Sequence, residues 1–457
     1  MSTLNSLQTI SPLDGRYANQ IGKLAGYFCE GALMKYRVLV EVEYLLALGR
    51  EPQIKEVKRY NSQETKKIVN LYIKFCLADA ERIKEIEKTT NHDVKAVEYF
   101  IKEKLTALKI TKNLEFVHFG LTSEDVNNLA YTLMLRNGVE KEIIPAIEDI
   151  LKVIKRLAQA NRGVALLALT HGQPATPTTL GKEMAVFYSR LSRSLDQLRA
   201  IKLEGKLNGA VGNYAAANLV YPQVDWLKFS ERFIKLLGFN PNLLTTQIES
   251  HDVSAMMYDA IARTNNIVKD LDQDMWLYIS RGVFKLHKKA GEVGSSTMPH
   301  KVNPINFENS EGNLGLANSL LRFMADKLPV SRLQRDLTDS TVLRNQGVAL
   351  AYSLVAYQNT LTGLEKLEVD TKSIRVELDN HWEVLAEAVQ TTLRKLGYQK
   401  PYEKLKELTR GEKVTKEIMC QFIKGLEIDK KEKEKLLELT PETYIGLSVE
   451  LVKRLVK

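Results

Sequence analysis

The chain has 457 residues, 44% hydrophobic and 26% charged. That is the balance of a globular protein too long for one ordinary core, so two or three units are expected. The 65 Lys and Arg exceed the 56 Asp and Glu by a net +9, a mild excess over this length. With no arginine-rich tail and no basic patch interleaved with aromatics, it favours a solvated surface and a small anionic ligand over nucleic acid.

Met1–Ile10 is polar and uncharged and no apolar run reaches membrane length, so neither a signal peptide nor a membrane partner is expected. Cys29, Cys76 and Cys420 lie far apart without metal or redox spacing. They predict a reducing, cytoplasmic setting with the thiols serving as small core hydrophobes.

In chain order, Asp14-Gly15-Arg16-Tyr17 follows Pro12 as the first polar cluster. Thr90-Asn91-His92-Asp93 comes next, ahead of a helix-periodic run containing Val94, Val97, Phe100 and Ile101. A polar cluster at a helix entry has free N–H groups and the positive end of the dipole, which attract anions. Thr90 or Asn91 also reads simply as an N-cap. The composition softens near residues 108–113, which sets a first domain at 1–111.

His118 to Asn128 reads HFGLTSEDVNN, again ahead of a helix. There Thr122 or Ser123 with Asp125 suits a cap as well as an anion site. Ile143, Ile147, Ile150, Ile154 and Leu157 then keep one helical face. Short apolar pieces such as 164–169 lead into THGQPATPT at 170–178, where His171 reads either as a turn residue or as a site residue. Leu180 to Ile201 and Val253 to Met275 sustain the helical period over long stretches, and no proline occurs between Pro241 and Pro299. Met256, Ile267 and Ile279 add a second apolar stripe, suited to an internal core or to another subunit.

The stretch 294–304 reads GSSTMPHKVNP. Pro299 and Pro304 forbid regular helix, so this is a loop rich in polar groups, of the kind that binds or reacts. Within 332–344, RLQRDLTDSTVLR, the side chains of Arg335, Ser340 and Arg344 are spaced to converge on one anion from a loop entering a helix. The central domain is expected over 112–364 and a Lys- and Glu-rich C-terminal domain over 365–457. His251, His287 and His381 fall in helical stretches and, with His118, read as structural. Together the polar loops, with His92, His171 and His300, imply an enzyme acting on a small polyanion by acid–base chemistry.

The GSSTMPHKVNP segment resembles the signature loop of the fumarase/aspartase superfamily, and LTSED and THGQPATP resemble its other shared regions in the right order. Within that superfamily His300 in MPHK, DGRY, TTNHD and RDLTDSTVLR are similar to the branch that cleaves succinylated purine nucleotides. The resemblance covers nearly the whole chain. It implies an all-α, three-domain fumarase/aspartase-like fold whose long central helical bundle assembles into a homotetramer, with sites shared between subunits.

The implied reaction is β-elimination of fumarate, from adenylosuccinate to give AMP and from succinylated aminoimidazole carboxamide ribotide to give the free ribotide. No cofactor and no metal are implied. By resemblance Ser295 is the general base and His171 the general acid, and Ser295 is distinguished from Ser296 only by the family register. Asn91, His92 and Asp93 orient the substrate. Thr122, Ser123, Lys301 and Asn303 bind its succinyl part, Gln247 meets the substrate from a third segment, and Arg16, Tyr17, Arg335, Ser340 and Arg344 hold the nucleotide and its phosphate. The alternative is another fumarate-releasing lyase of the superfamily, such as argininosuccinate lyase.

Overall fold

The long 4-3-4-3 runs fold as helices in the computed structural model, which describes residues 6–287, 298, 301–408 and 414–456. The chain divides into two compact units, one formed by residues 1–146, 194–266 and 312–358, the other by 147–193, 267–311 and 359–457.

In the first unit α1 (Ala18–Phe28), α2 (Glu30–Leu48), α3 (Ser62–Ile73), α4 (Leu77–Thr90) and α5 (Asp93–Ala107) come first. Val38, Val42 and Leu45 of α2 pack with Phe100, Ile101 and Leu105 of α5 in one core. Helix α2 is apolar on most sides because it is enclosed, yet it buries two charged residues, Arg37 and Glu41. A buried charge is tolerated only when paired. Arg37 meets Asp93 at 2.7 Å and Glu41 meets His118 at 2.5 Å.

Helices α6 (Ser123–Gly138), α7 (Ile144–Ala160), α8 (Leu180–Ala200), α9 (Ala215–Val220), α10 (Trp226–Leu236) and α11 (Asp252–Ser280) follow. After them come α12 (Ile305–Lys327), α13 (Thr338–Leu343) and α14 (Gln346–Glu365). The 29 residues of α11 span about 43 Å at 1.5 Å per residue. In the first unit Asn265 of α11 donates to Asn318 Oδ1 of α12 at 2.9 Å and to Ser353 Oγ of α14 at 3.0 Å. Polar groups this deep fix which residues of three neighbouring helices face one another.

The second unit holds a comparable cluster. Thr360 of α14 donates to Asp272 Oδ1 of α11 at 2.8 Å, and Ser310 of α12 lies 2.8 Å from Thr360. Asp272 is 1% exposed, and among the described residues its Oδ2 has no hydrogen-bond partner. Burial pushes its carboxyl well above the usual carboxylate range, against the two hydroxyls that favour the anion.

The folded state therefore holds the Asp272 proton that the unfolded chain has lost, so stability falls as pH rises above about 4, the carboxylate's unfolded value. Asp272→Asn keeps the acceptor for Thr360 and removes that penalty. Thermal unfolding at pH 8 should show the variant more stable by roughly 1–3 kcal/mol, the cost of one uncompensated buried group. The gain should shrink toward pH 4. A variant less stable than the parent at pH 8 would mean the carboxylate itself is needed.

Two-residue strands punctuate the loops: β1 (Ala165–Leu166), β2 (Leu169–Thr170), β3 (Gln173–Pro174), β4 (Thr178–Thr179), β5 (Glu204–Gly205) and β6 (Asn240–Pro241). β1 pairs with β4 and β2 with β3, both antiparallel, while β5 and β6 are parallel. β7 (Phe284–Leu286) and β8 (Leu367–Val369) form the last antiparallel pair. Then α15 (Thr371–Asp379), α16 (Ala386–Lys395), α17 (Pro401–Leu408), α18 (Lys416–Lys424), α19 (Lys430–Leu437) and α20 (Ser448–Leu455) complete the second unit. Val389 and Leu393 of α16, Met419 and Ile423 of α18 and Trp382 form a core there.

Two expectations fail. Cys29 and Cys76 are exposed at the N-termini of α2 and α4, and Cys420 is half-buried. Neither of the first two is a core hydrophobe, and Cys29 Sγ accepts from the Ala32 N–H. His251, His287 and His381 border regular elements instead of lying within helices: His251 precedes α11, His287 follows β7 and His381 precedes a 3₁₀ turn. At His251 the backbone is left-handed (φ 62°), which ends helical periodicity at that residue. No helix of the described residues is long and apolar enough to cross a membrane.

Candidate functional site

The TTNHD cluster is built by the junction of α4 and α5. Asn91 caps α4 in the left-handed conformation (φ 49°), which an Asn side chain tolerates better than most. His92 is the N-cap of α5, its Nδ1 accepting from the Lys95 N–H at 3.2 Å. Asp93 then opens α5 and accepts from Arg37 at 2.7 Å, while Arg37 Nε donates to Asn127 Oδ1 at 2.9 Å. Burial opposes ionisation of Asp93. The Arg37 guanidinium outweighs it, with help from the Val94 N–H and Arg344, and holds the carboxyl below its ordinary range.

The LTSED motif is fixed by its last residue. Asp125, fully buried, accepts from the Thr122 N–H at 2.9 Å and from the Asn208 and Gly209 N–H groups at 3.0 and 3.2 Å. Lys206, also fully buried, sits 3.1 Å from Asp125 and donates to the Gln247 carbonyl at 2.7 Å. One carboxylate thus ties the entry of α6, the 206–209 loop and the Gln247 segment together. Thr122 serves as N-cap of α6.

Arg335, largely buried, donates from Nη2 to Ser340 Oγ at 2.9 Å and from Nη1 to Gln247 Oε1 at 3.4 Å. It also lies 3.2 Å from Glu124 Oε2. Arg344, at the C-terminus of α13, faces Asp93 at 3.6 Å.

These pieces surround one cavity of about 560 Å³, lined by Asn91, His92, Asp93, Ser123, Arg335, Ser340 and Arg344, with Arg37, Asn127, Tyr131 and Thr341 among the remaining residues. The volume lies in the range that takes a small-molecule ligand. The three arginines among its lining residues suit a phosphate or carboxylate.

Of the expected site residues, seven thus meet in the first unit and Gln247 joins them through Arg335. Thr122 stands beside Ser123 without lining the cavity, and neither Arg16 nor Tyr17 lines it; Arg16 is exposed and Tyr17 caps α1. Arg37 was missed. Its signal is a cation four residues before Glu41 in the apolar run of α2, a pair that needs buried partners.

His171 lies in the second unit, at a turn, as one of its two readings had it. It occupies the tip of the β2–β3 hairpin, where His171 and Gly172 are both left-handed (φ 53° and 72°), as a two-residue turn between right-twisted strands demands. The imidazole is exposed. Lys301, exposed, and Asn303, half-buried, precede α12 in the same unit. Ser295, Ser296 and His300 lie outside the described residues. His118 is structural as expected: burial works against its charged form, but the Glu41 carboxylate prevails and raises its pKa.

Residues 15–317 match the family described as "Lyase", and residues 331–445 the family described as "Adenylosuccinate lyase C-terminal". The chain is 52% identical over 453 residues to a Haemophilus influenzae protein named adenylosuccinate lyase, covering 99% of each. A Vibrio cholerae protein of that name is 51% identical over 454 residues, covering 99% of this chain and all of the relative.

Among solved structures, the chain is similar to a fumarate lyase from Mesorhizobium sp. BNC1 (TM-score 0.74, 19% identity, 95% of this chain and 97% of that one). It is also similar to a β-carboxy-cis,cis-muconate cycloisomerase from Acinetobacter calcoaceticus (TM-score 0.72, 17% identity, with the same coverage). Those two likenesses establish the fold.

Proposed function

The chain belongs to the adenylosuccinate lyase family, and from that membership we propose how its site works. It eliminates fumarate from adenylosuccinate, leaving AMP, and acts in the same way on the succinylated aminoimidazole carboxamide ribotide. The observation that carries this reading over another fumarate-releasing lyase is the cavity walled by Arg37, Arg335 and Arg344 beside His92 and Ser340. These arginines suit the dianionic phosphate of a nucleotide, whereas argininosuccinate brings only carboxylates.

Arg335, Ser340 and Arg344 hold the phosphate end, with Arg16 and Tyr17 at the nucleotide, while Asn91, His92 and Asp93 orient the substrate beside its phosphate or carboxylate. Thr122, Ser123 and Gln247 meet the succinyl arm, and Lys301 and Asn303 take its carboxylate. Ser295, held as alkoxide, removes the proton from the carbon next to that carboxylate. The electron pair spreads into the carboxylate as a dianion, which the Lys301 ammonium and nearby N–H groups stabilise by roughly 3–4 kcal/mol. The pair then forms the fumarate double bond as the carbon–nitrogen bond breaks, and His171 delivers its proton to the departing nitrogen. Imidazole is the side chain best suited to that transfer near neutral pH.

Read as three domains, 1–111, 112–364 and 365–457, the chain draws these site residues from the first two. Assembly into a homotetramer is supported by the apolar side chains its long helices expose. Met256 of α11 is 53% exposed, and Leu316 and Phe323 of α12 are 52% and 54% exposed. Ile267 and Ile279 are half-buried. Sites shared between subunits are supported by His171, which is exposed on a hairpin tip.

Substrate comparison tests the reading. The dephosphorylated nucleoside analogue of adenylosuccinate should show kcat/KM at least about a hundredfold lower than the nucleotide, since two or more charge-assisted contacts of about 1.5–3 kcal/mol each are lost. Equal kcat/KM values would remove the phosphate from recognition, and faster fumarate release from argininosuccinate would favour the alternative.

A further inference from the structure

Glu124 is the residue of the LTSED motif that neither capping nor the hydrogen bonds of Asp125 account for. It follows Ser123, which lines the cavity, and its own side chain is 1% exposed. Its Oε2 lies 3.2 Å from Arg335 Nη2. Among the described residues its Oε1 has no hydrogen-bond partner.

Around it stand Asp125 and Tyr131 on the same helix, Lys206 from the 206–209 loop, and Arg335 and Asp339 from the segment leading through α13. Lys206 is already committed to Asp125 at 3.1 Å. Arg335 is therefore left to two carboxyls, Glu124 at 3.2 Å and Asp339 at 3.6 Å, the second too long for a hydrogen bond. Asp339 Oδ2 likewise lacks a hydrogen-bond partner among the described residues. His251, buried against this cluster, has its pKa lowered by burial and adds no charge.

Arg335 also lines the cavity. If both carboxyls were ionised, its single positive charge would be spent inside the protein, and an incoming phosphate would meet net negative charge. We propose that Glu124 is a positioning residue for phosphate recognition: protonated, it leaves the Arg335 charge to the substrate, and ionised, it claims that charge for itself. This rests on the reading of Arg335 as a phosphate-end residue.

Substrate binding then draws one proton from solvent onto Glu124, since the phosphate and the Glu124 carboxylate compete for one guanidinium. Burial favours the neutral form: it pushes the Glu124 carboxyl up to about 8, and the opposing pull of Arg335 reduces the shift without cancelling it. Competition should accordingly set in between pH 7 and 9. The phosphate is fully ionised there, its second ionisation lying near 6, so the ligand contributes no slope.

The test is AMP binding and steady-state kinetics with adenylosuccinate at pH 7, 8 and 9, in the parent, Glu124→Gln and Arg335→Gln. In the parent, the AMP dissociation constant and the KM should rise about tenfold across this range with kcat changing far less, the limit for one linked proton being tenfold per unit. Glu124→Gln should hold both within about twofold, because its amide cannot ionise. Calorimetry of AMP binding to the parent at pH 8, in two buffers of different ionisation enthalpy, should show proton uptake, and that measurement stands even if the variant fails to fold.

No uptake in the parent, or a slope unchanged in Glu124→Gln, would overturn the inference. Arg335→Gln tells the two failures apart. If it weakens AMP binding tenfold or more while the Glu124 outcomes fail, only the proton linkage falls; if it leaves AMP binding unchanged, the phosphate reading of Arg335 falls and the inference with it.

Discussion

Replacing His171 with Ala should lower kcat for adenylosuccinate by roughly 10²–10⁴-fold, the usual worth of a positioned general acid, while KM should change by no more than about threefold. The split follows from where the residue sits. His171 is on the tip of the β2–β3 hairpin with its side chain exposed, and it lines no part of the phosphate cavity. Removing it takes away proton delivery and leaves the arginine wall intact. A hairpin tip also carries no packed core, so the variant should unfold like the parent. Free imidazole added to the assay should restore part of the lost turnover, which a purely structural role would not allow. Turnover within threefold of the parent would take His171 out of the proton path.

The sequence carried the helices well, because α8 and α11 repeat apolar residues at helical spacing over twenty residues or more. It carried much of the candidate cavity too: Asn91, His92, Asp93, Ser123, Arg335, Ser340 and Arg344 stand in short polar runs between such helices, and they line one cavity. What it did not carry are partnerships across long separations. Arg37 looked like one cation in an apolar helix until Asp93, 56 residues on, closed on it.

Asp125 likewise read as part of a cap, yet most of its hydrogen bonds come from a loop more than 80 residues away. The turn at His171 and Gly172 was legible as one of two readings, but strands of two residues are too short to show the hairpin that makes it. Cys29 and Cys76 misled through composition alone. Thiols are usually buried, but these two occupy N-terminal positions, where a helix leaves N–H groups unpaired.

The second large effect concerns where the acid and the base come from. The superfamily resemblance assigns proton removal to Ser295 and proton delivery to His171, on shared regions contributed by different subunits. Each substitution alone, Ser295→Ala or His171→Ala, should then abolish nearly all turnover, because either half of the proton traffic is missing from every site. A mixed tetramer differs. In some of its sites the intact Ser295 of one chain meets the intact His171 of another, and those sites regain full chemistry.

The recovered fraction should depend on the mixing ratio and peak near equal amounts, whereas simple dilution of one inactive enzyme by another gives none. The measurement is fumarate release from adenylosuccinate after the two purified variants are mixed and subunit exchange is verified independently. Turnover should climb from the near-zero level of either variant to a substantial part of the parent's. If exchange is complete and fumarate release stays at the level of the separate variants, an imidazole and a hydroxyl from different chains do not act on one succinyl arm.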